Sequence, residues 1–193
     1  MDEFPRRLSG LLSHLTGGVE TEWEASPAAV LVPLFLNDNE WNLLYTRRTD
    51  SVDVHQGQVA FPGGRIEPDD CSAAGAALRE SEEEIGLRAA DVQVLGQLNP
   101  LITVTQFVVT PVIGVIPWPY PLRPNQEEVA KCFGVPIRWL AEPANLEVHT
   151  RQPLVSGLGV QVYYFKPYEG ELIWGVTARI TKSLLDLLAD RPA

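Results

Sequence analysis

Residues 72 to 86 read as one helix, and the acids it carries limit what this chain can fold into and do. Ala73, Ala74, Ala76, Ala77, Leu78, Glu80, Glu82, Glu83 and Glu84 are strong helix formers, only Gly75 is poor, and Gly86 supplies a C-terminal stop. Side chains at i, i+3 and i+4 share a helix face, so Glu80, Glu83 and Glu84 converge while Glu82 points elsewhere. Like charges at this spacing cost about 0.2–0.5 kcal/mol per pair in an isolated helix, and more when partly buried, unless a cation sits among them. The acidity extends beyond the helix. Residues 67 to 91 hold eight acids (Glu67, Asp69, Asp70, Glu80, Glu82, Glu83, Glu84, Asp91) against Arg79 and Arg88, so more than half of the chain's net charge of −10 lies in this short stretch.

Oxygen ligands of this kind suit Mg²⁺ or Mn²⁺, which keep several waters and bridge to a substrate phosphate. Arg79, next to Glu80, is placed to orient one carboxylate by a bidentate contact. Upstream lie Gly63 and Gly64, where the backbone can approach closely and the Gly64 carbonyl can act as a further ligand. A plain solvated helix face is the alternative for a run of glutamates alone.

The rest of the chain bounds the context. With 193 residues and 45% hydrophobic content it can bury one domain's core, which excludes a disordered or fibrous chain. Its acidity argues against a sequence-independent grip on nucleic acid or on anionic lipid. Cys71 and Cys132 are too few for a disulfide framework and form no CxxC pair. The N-terminus, MDEFPRRLSGLLSHL, reads as an amphipathic helix rather than a signal peptide. Residues 28 to 36, the longest apolar run, contain Pro33 and fall far short of the ~20 residues needed to cross a bilayer. A cytoplasmic protein without nucleic-acid or membrane partners is expected, with an N-terminal helix and lead-in over 1–27 and the main domain over 28–190.

Residues 28–36 and 41–47 are apolar runs joined by Asn37-Asp38-Asn39-Glu40, which predicts a β-hairpin. Further strands are predicted over 92–98, 104–116, 128–137 and 159–165, and a core-facing helix over 177–188. Four prolines in residues 117–124 make a stiff connector. Strands mixed with a few helices indicate an α/β sandwich around a mixed sheet.

The acidic segment resembles the Nudix box, written G, five residues, E, seven residues, REUxEExGU with U aliphatic. Here Gly64, then Asp70, then Arg79-Glu80-Ser81-Glu82-Glu83-Glu84-Ile85-Gly86-Leu87 fill the pattern. Asp70 replaces the first Glu, the second spacer is one residue longer, and Ser81 replaces an aliphatic residue; none of these removes a metal ligand. The resemblance implies a Nudix-type α/β/α sandwich with its box at 64–87. It also implies Mg²⁺ or Mn²⁺ held by Glu80, Glu83 and Glu84 with the Gly64 carbonyl.

A longer resemblance, over about residues 28 to 188, is to the coenzyme A diphosphatase branch. It is carried by Leu44-Tyr45-Thr46-Arg47-Arg48-Thr49, by His55-Gln56-Gly57 through Phe61-Pro62-Gly63-Gly64, and by Pro111 to Gly114. Further on it rests on Arg123-Pro124-Asn125 to Glu128-Val129, on Val135-Pro136 and on Ile173 to Arg179. Where that branch usually has an Arg four residues before the glycine of the upstream motif, this chain has Asp53, and Thr49 stands where Ser or Ala is usual. The branch implies a small nucleotide substrate, coenzyme A or its thioesters, cut to 3′,5′-ADP and 4′-phosphopantetheine or its acyl form. Other Nudix substrates (ADP-ribose, dinucleotide polyphosphates, nucleoside triphosphates) remain open, as does a nucleotide-binding module without turnover.

In the chemistry so implied, Arg79 and Glu83 serve catalysis, and the base is either a box glutamate or Glu128, the candidate by resemblance. Arg47, Arg48 and His55 are candidates for substrate contact; strand-end charges and a structural histidine are the alternatives. A homodimer is plausible for the superfamily.

Overall fold

The computed structural model describes residues 3–15, 17–18, 25–49, 57–151 and 160–189. Helix α1 (Glu3–Ser13) is followed by the hairpin β1 (Ser26–Asn37) and β2 (Glu40–Arg48), then by β3 (Val59–Ala60), β4 (Gly63–Arg65) and α2 (Ala73–Ile85). Next come β5 (Gln93–Gln97), β6 (Leu101–Ile102), β7 (Phe107–Val115), β8 (Val129–Pro136) and the short α3 (Ile137–Ala141). A second hairpin, β9 (Leu146–Arg151) and β10 (Val160–Phe165), precedes the closing helix α4 (Gly175–Ala189).

Eight strands form one mixed sheet along the path β3-β2-β1-β7-β5, with β4 on β1, β6 on β7 and β8 on β2; β1 and β7 run parallel and the other pairs antiparallel. Period-two alternation gives the sheet two apolar faces. Ala28, Val32 and Leu34 of β1 face α1 and α4, whose Leu8, Leu12, Ala178, Ile180 and Leu184 complete that core. Ala29, Leu31 and Phe35 face α2, meeting Ala76, Ala77 and Ile85. The molecule is therefore an α/β/α sandwich with a mixed sheet, as the sequence leads one to expect.

Two expectations are corrected in detail. The strand foreseen over 104–116 begins only at Phe107, because Gln106 adopts φ 63° in a turn after β6. Strand β9 was not foreseen, since Leu146–Arg151 carries Glu147, His149 and Arg151 and lacks a clean apolar run. The N-terminal helix is integral to the core: Leu12 packs so closely on Gly96 that a Cβ there would lie 2.9 Å from the leucine Cβ. Among the described residues no helix is long and apolar enough to cross a membrane.

Candidate metal and catalytic site

Helix α2 is fixed at both ends. The Ser72 side chain accepts from Gly75 N–H at 3.1 Å. At the other end Gly86, at φ 67°, donates to the Glu82 carbonyl at 3.0 Å, an αL closure, and Leu87 donates to the Ser81 carbonyl at 3.3 Å. Residues 120–128 then lie across that terminus, where Arg123 N–H donates to the Ile85 carbonyl and Asn125 N–H to the Glu84 carbonyl, both at 2.8 Å. This seam places Glu128 beside the helix acids.

Burial then sorts the three glutamates. Glu83 is exposed, Glu80 is half-buried, and Glu84 is only 6% exposed on the face that packs against the sheet. Burial pushes the Glu84 carboxyl up to about 8; Arg48 opposes that shift, the charges of Glu128 and Glu80 add to it, and an N–H from Gly63 opposes it. Glu80 is raised as well, first by burial, with Arg79 opposing and the Glu83 and Glu128 charges adding. The charges of Glu83 and Glu128 thus bear on Glu80, and those of Glu128 and Glu80 on Glu84, around the C-terminal half of α2.

Arg79 organises this group. It reaches Asp70 from Nε and Nη2 at 3.2 and 3.1 Å, Glu80 at 2.9 Å, Glu83 at 3.2 Å and the Arg65 carbonyl at 3.2 Å. The hydrogen bonds from Arg79, followed by one from Glu67 N–H, hold the Asp70 carboxyl below its ordinary range. Asp70 therefore anchors Arg79 from the loop that precedes the helix.

Gly64 meets the helix directly. A Cβ there would lie 2.5 Å from Glu80 Oε1, so only a glycine lets the backbone sit against this carboxylate undisturbed. Among the described residues no three acidic, histidine or cysteine side chains stand together as a ready metal cage, and Arg79 spans Glu80 and Glu83. The donors nonetheless fit a hard divalent cation. They are all oxygen, the Glu80 and Glu84 carboxyls are raised first by burial and further by neighbouring acids, and Glu80 faces the backbone of Gly64.

Consecutive positions at the end of β2 point to opposite faces. Arg48 lies on the α2 side, where its charge favours ionised Glu84 and its buried Nε has no hydrogen-bond partner among the described residues. Arg47 lies on the other side, 3.9 Å from Glu171. A bulge puts Arg47 opposite Lys131 but Arg48 opposite Val129, which leaves Ala130 as the extra residue. Glu128 is tied to the same corner, its carbonyl accepting Thr49 N–H at 2.9 Å. His55 and Asp53 lie outside the described residues. Sequence reasoning missed Cys132, Lys131 and Glu171, all of which the pairing of β8 with β2 and the turn at 168–171 bring to this corner; the one local signal was a lysine inside an otherwise apolar strand.

A glycine loop and an acid-bearing helix clamped to a mixed sheet between helical layers define a class of phosphoanhydride hydrolases, and the comparisons agree. The NUDIX domain model matches residues 25–155. A protein of Yersinia pestis (strain Pestoides F) named "Uncharacterized Nudix hydrolase NudL" is 42% identical over 160 residues, covering 81% of this chain and 77% of its own length; that of Yersinia pseudotuberculosis (serotype O:1b, strain IP 31758) matches equally. Two solved structures share the fold. The Nudix hydrolase RenU of M. smegmatis has a TM-score of 0.51 at 22% identity, covering 62% of this chain and 76% of its own. A binary complex of the C. elegans Ap4A hydrolase has 0.50 at 18%, covering 57% and 80%. The chain belongs to the Nudix family and is a Nudix pyrophosphohydrolase acting on nucleoside diphosphate derivatives, in a family whose members generally need divalent metal ions.

Proposed function

We propose that this enzyme cuts the diphosphate of coenzyme A or its thioesters to 3′,5′-ADP and 4′-phosphopantetheine or its acyl form. The observation that carries the chemistry is the convergence of Glu80, Glu84 and Glu128 beside Gly64, where the charge of Glu128 bears on both Glu80 and Glu84. The substrate reading rests on the sequence resemblance from residue 28 to 188. Glu80, Glu83 and Glu84, with the Gly64 carbonyl, would hold Mg²⁺ or Mn²⁺. Such ions neutralise the diphosphate and lower the pKa of bound water.

The chain's own residues supply the rest. Arg79 holds Glu80 and Glu83 in place from its anchor on Asp70. Glu128, exposed and fixed through its backbone to Asn125 and Thr49, takes the proton from the attacking water. Arg48 offers its unpartnered Nε–H to a phosphate oxygen. His55 contacts substrate from the segment that precedes Gly57. The enzyme works in the cytoplasm on a free small molecule, as a monomer or homodimer.

The test is a product panel. Coenzyme A, an acyl-CoA, ADP-ribose, diadenosine polyphosphates and nucleoside triphosphates are each incubated with the enzyme and Mg²⁺ or Mn²⁺, and the products are separated by chromatography. Release of 3′,5′-ADP from coenzyme A at the highest kcat/KM of the panel is expected. A clear preference for ADP-ribose overturns the reading.

A further inference from the structure

Glu127 and Glu128 are exposed, yet the backbone that carries them is bonded at all four of its N–H and C=O groups, and two residues supply every partner. Glu127 N–H donates to Asn125 Oδ1 at 3.2 Å, and Glu128 N–H to the Asn125 carbonyl at 3.0 Å. Thr49 answers from the end of β2: its hydroxyl donates to the Glu127 carbonyl and its N–H to the Glu128 carbonyl, both at 2.9 Å. The Asn125 carbonyl also accepts Val129 N–H, at 2.7 Å, where β8 begins. Two of the four partners are main-chain groups that most residues would bring. The Asn125 amide oxygen and the Thr49 hydroxyl belong to side chains, and the sequence has to supply them.

An exposed loop has no need of such bonds, because water satisfies its N–H and C=O groups. What the four bonds add is position. Asn125 is itself held by α2, its N–H donating at 2.8 Å to the carbonyl of Glu84, one of the box acids. Thr49 follows Arg48, whose charge acts on the Glu84 carboxylate. The loop is thus hung between the helix that bears Glu80 and Glu84 and the strand end that bears Arg48, and the charge of Glu128 bears on both acids. A carboxylate that takes a proton from a water at a fixed point must lie within about 3 Å of it, and a displacement of about 1 Å costs on the order of 100-fold in rate.

We infer that Asn125 and Thr49 are positioning residues for proton transfer: their side chains hold the Glu127–Glu128 backbone, and through it set the reach of the Glu128 carboxylate to the attacking water. As the water oxygen bonds to phosphorus, its proton passes to a Glu128 oxygen and the bridging P–O bond breaks. The inference rests on the reading of Glu128 as the base. Asn125 and Thr49 act through Glu128, and neither is a catalytic residue.

The experiment measures kcat and KM with coenzyme A and with ADP-ribose in Mg²⁺, for the full chain and for its Thr49→Val, Thr49→Ser, Asn125→Ala, Asn125→Ser and Glu128→Gln variants and a Thr49→Val, Glu128→Gln double variant. Each is checked for folding by thermal melting. Glu128→Gln should lower kcat about 10²- to 10⁴-fold, the usual worth of a general base. Thr49→Val and Asn125→Ala should each lower kcat about 10- to 100-fold while KM stays within about 3-fold of wild type. Thr49→Ser should restore most of the rate and Asn125→Ser part of it, since a serine hydroxyl accepts the same N–H more weakly. Once Gln replaces Glu128, Thr49→Val should cost less than about 3-fold more, because the group it aims is gone. Wild-type kcat in Thr49→Val or in Asn125→Ala, or a Thr49→Val loss that adds in full to that of Glu128→Gln, overturns the inference alone. Wild-type turnover by Glu128→Gln removes the base, and the inference with it.

Discussion

Asp70 accepts two hydrogen bonds from Arg79, Nε to Oδ1 at 3.2 Å and Nη2 to Oδ2 at 3.1 Å, and the remaining Nη1 of the same guanidinium reaches Glu80 and Glu83. The fork is thus held from the loop side while it aims the helix side. Removing the anchor frees the guanidinium to rotate away from the box glutamates. Asp70→Asn should lower kcat/KM about 10- to 100-fold, the usual cost of losing a group that orients ligands, with little change in melting temperature. Steady-state kinetics beside thermal melting checks this, and an unaltered kcat/KM would mean that Arg79 holds its geometry without Asp70.

The two glycines of the loop serve different ends. At Gly63, φ is 153°, and an added Cβ would lie 2.3 Å from the Ala29 carbonyl oxygen and 2.5 Å from Val30 Cα, backbone atoms that cannot give way. Gly63→Ala should cost about 2–4 kcal/mol of stability. At Gly64 the collision is with the end of the Glu80 side chain, which can swing aside. Gly64→Ala should melt within a few degrees of wild type yet lose activity by about 100-fold or more, because the displaced carboxylate is one of the box acids. Denaturant curves and kinetics on the two variants check the contrast.

Much of this architecture was legible in the sequence because local chemistry decides it. Turn residues Asp38 and Asn39, at φ 48° and 60°, close the first hairpin, and Ser72 and Gly86 bound α2 where the sequence reading puts them. The i, i+3, i+4 spacing correctly puts Glu80, Glu83 and Glu84 on neighbouring positions, but spacing cannot say which of them the sheet will bury. That depends on Phe35, Leu44 and Cys132 arriving from strands far away in the chain. The opposite facing of Arg47 and Arg48 follows from strand alternation alone, whereas their partners do not. Lys131 and Glu171 meet Arg47 only because β8 pairs with β2 and a turn at 168–171 delivers a carboxylate to the join, both non-local events.

Glu84 gives the protein a pH signature when metal is removed. Its carboxyl has a folded-state value of about 8, above the ~4.3 of an unfolded chain, so folding favours the protonated form. The stability this group contributes is fully present below about pH 4.3 and is lost as pH rises through 8. In chelator, the wild type should therefore lose stability between pH 5 and 8, and Glu84→Gln should flatten that loss and gain about 1–3 kcal/mol at pH 8. The same variant should lose turnover by orders of magnitude and lose the upward melting shift that Mg²⁺ gives the wild type. Urea titrations across pH with and without Mg²⁺ provide the check; a Glu84→Gln protein still stabilised by Mg²⁺ would remove Glu84 from the metal site.

Cys132 reports on the same corner from the sheet side. It lies opposite Thr46 on the α2 face, and burial, with a smaller contribution from the Glu84 charge, pushes its thiol up to about 12. The thiolate is the nucleophile, so at pH 8.5 Cys132 should be almost unreactive, while Cys71, exposed before α2, is open to reagent. Iodoacetamide at that pH should add one adduct to the native protein, mapped to Cys71 by peptide mass spectrometry, and two after unfolding in urea. Glu84→Gln removes the nearby charge and should raise labelling of Cys132 only slightly, because burial is the larger cause. Rapid double labelling of the native wild type would show that the α2 face opens to solvent far more often than its packing implies.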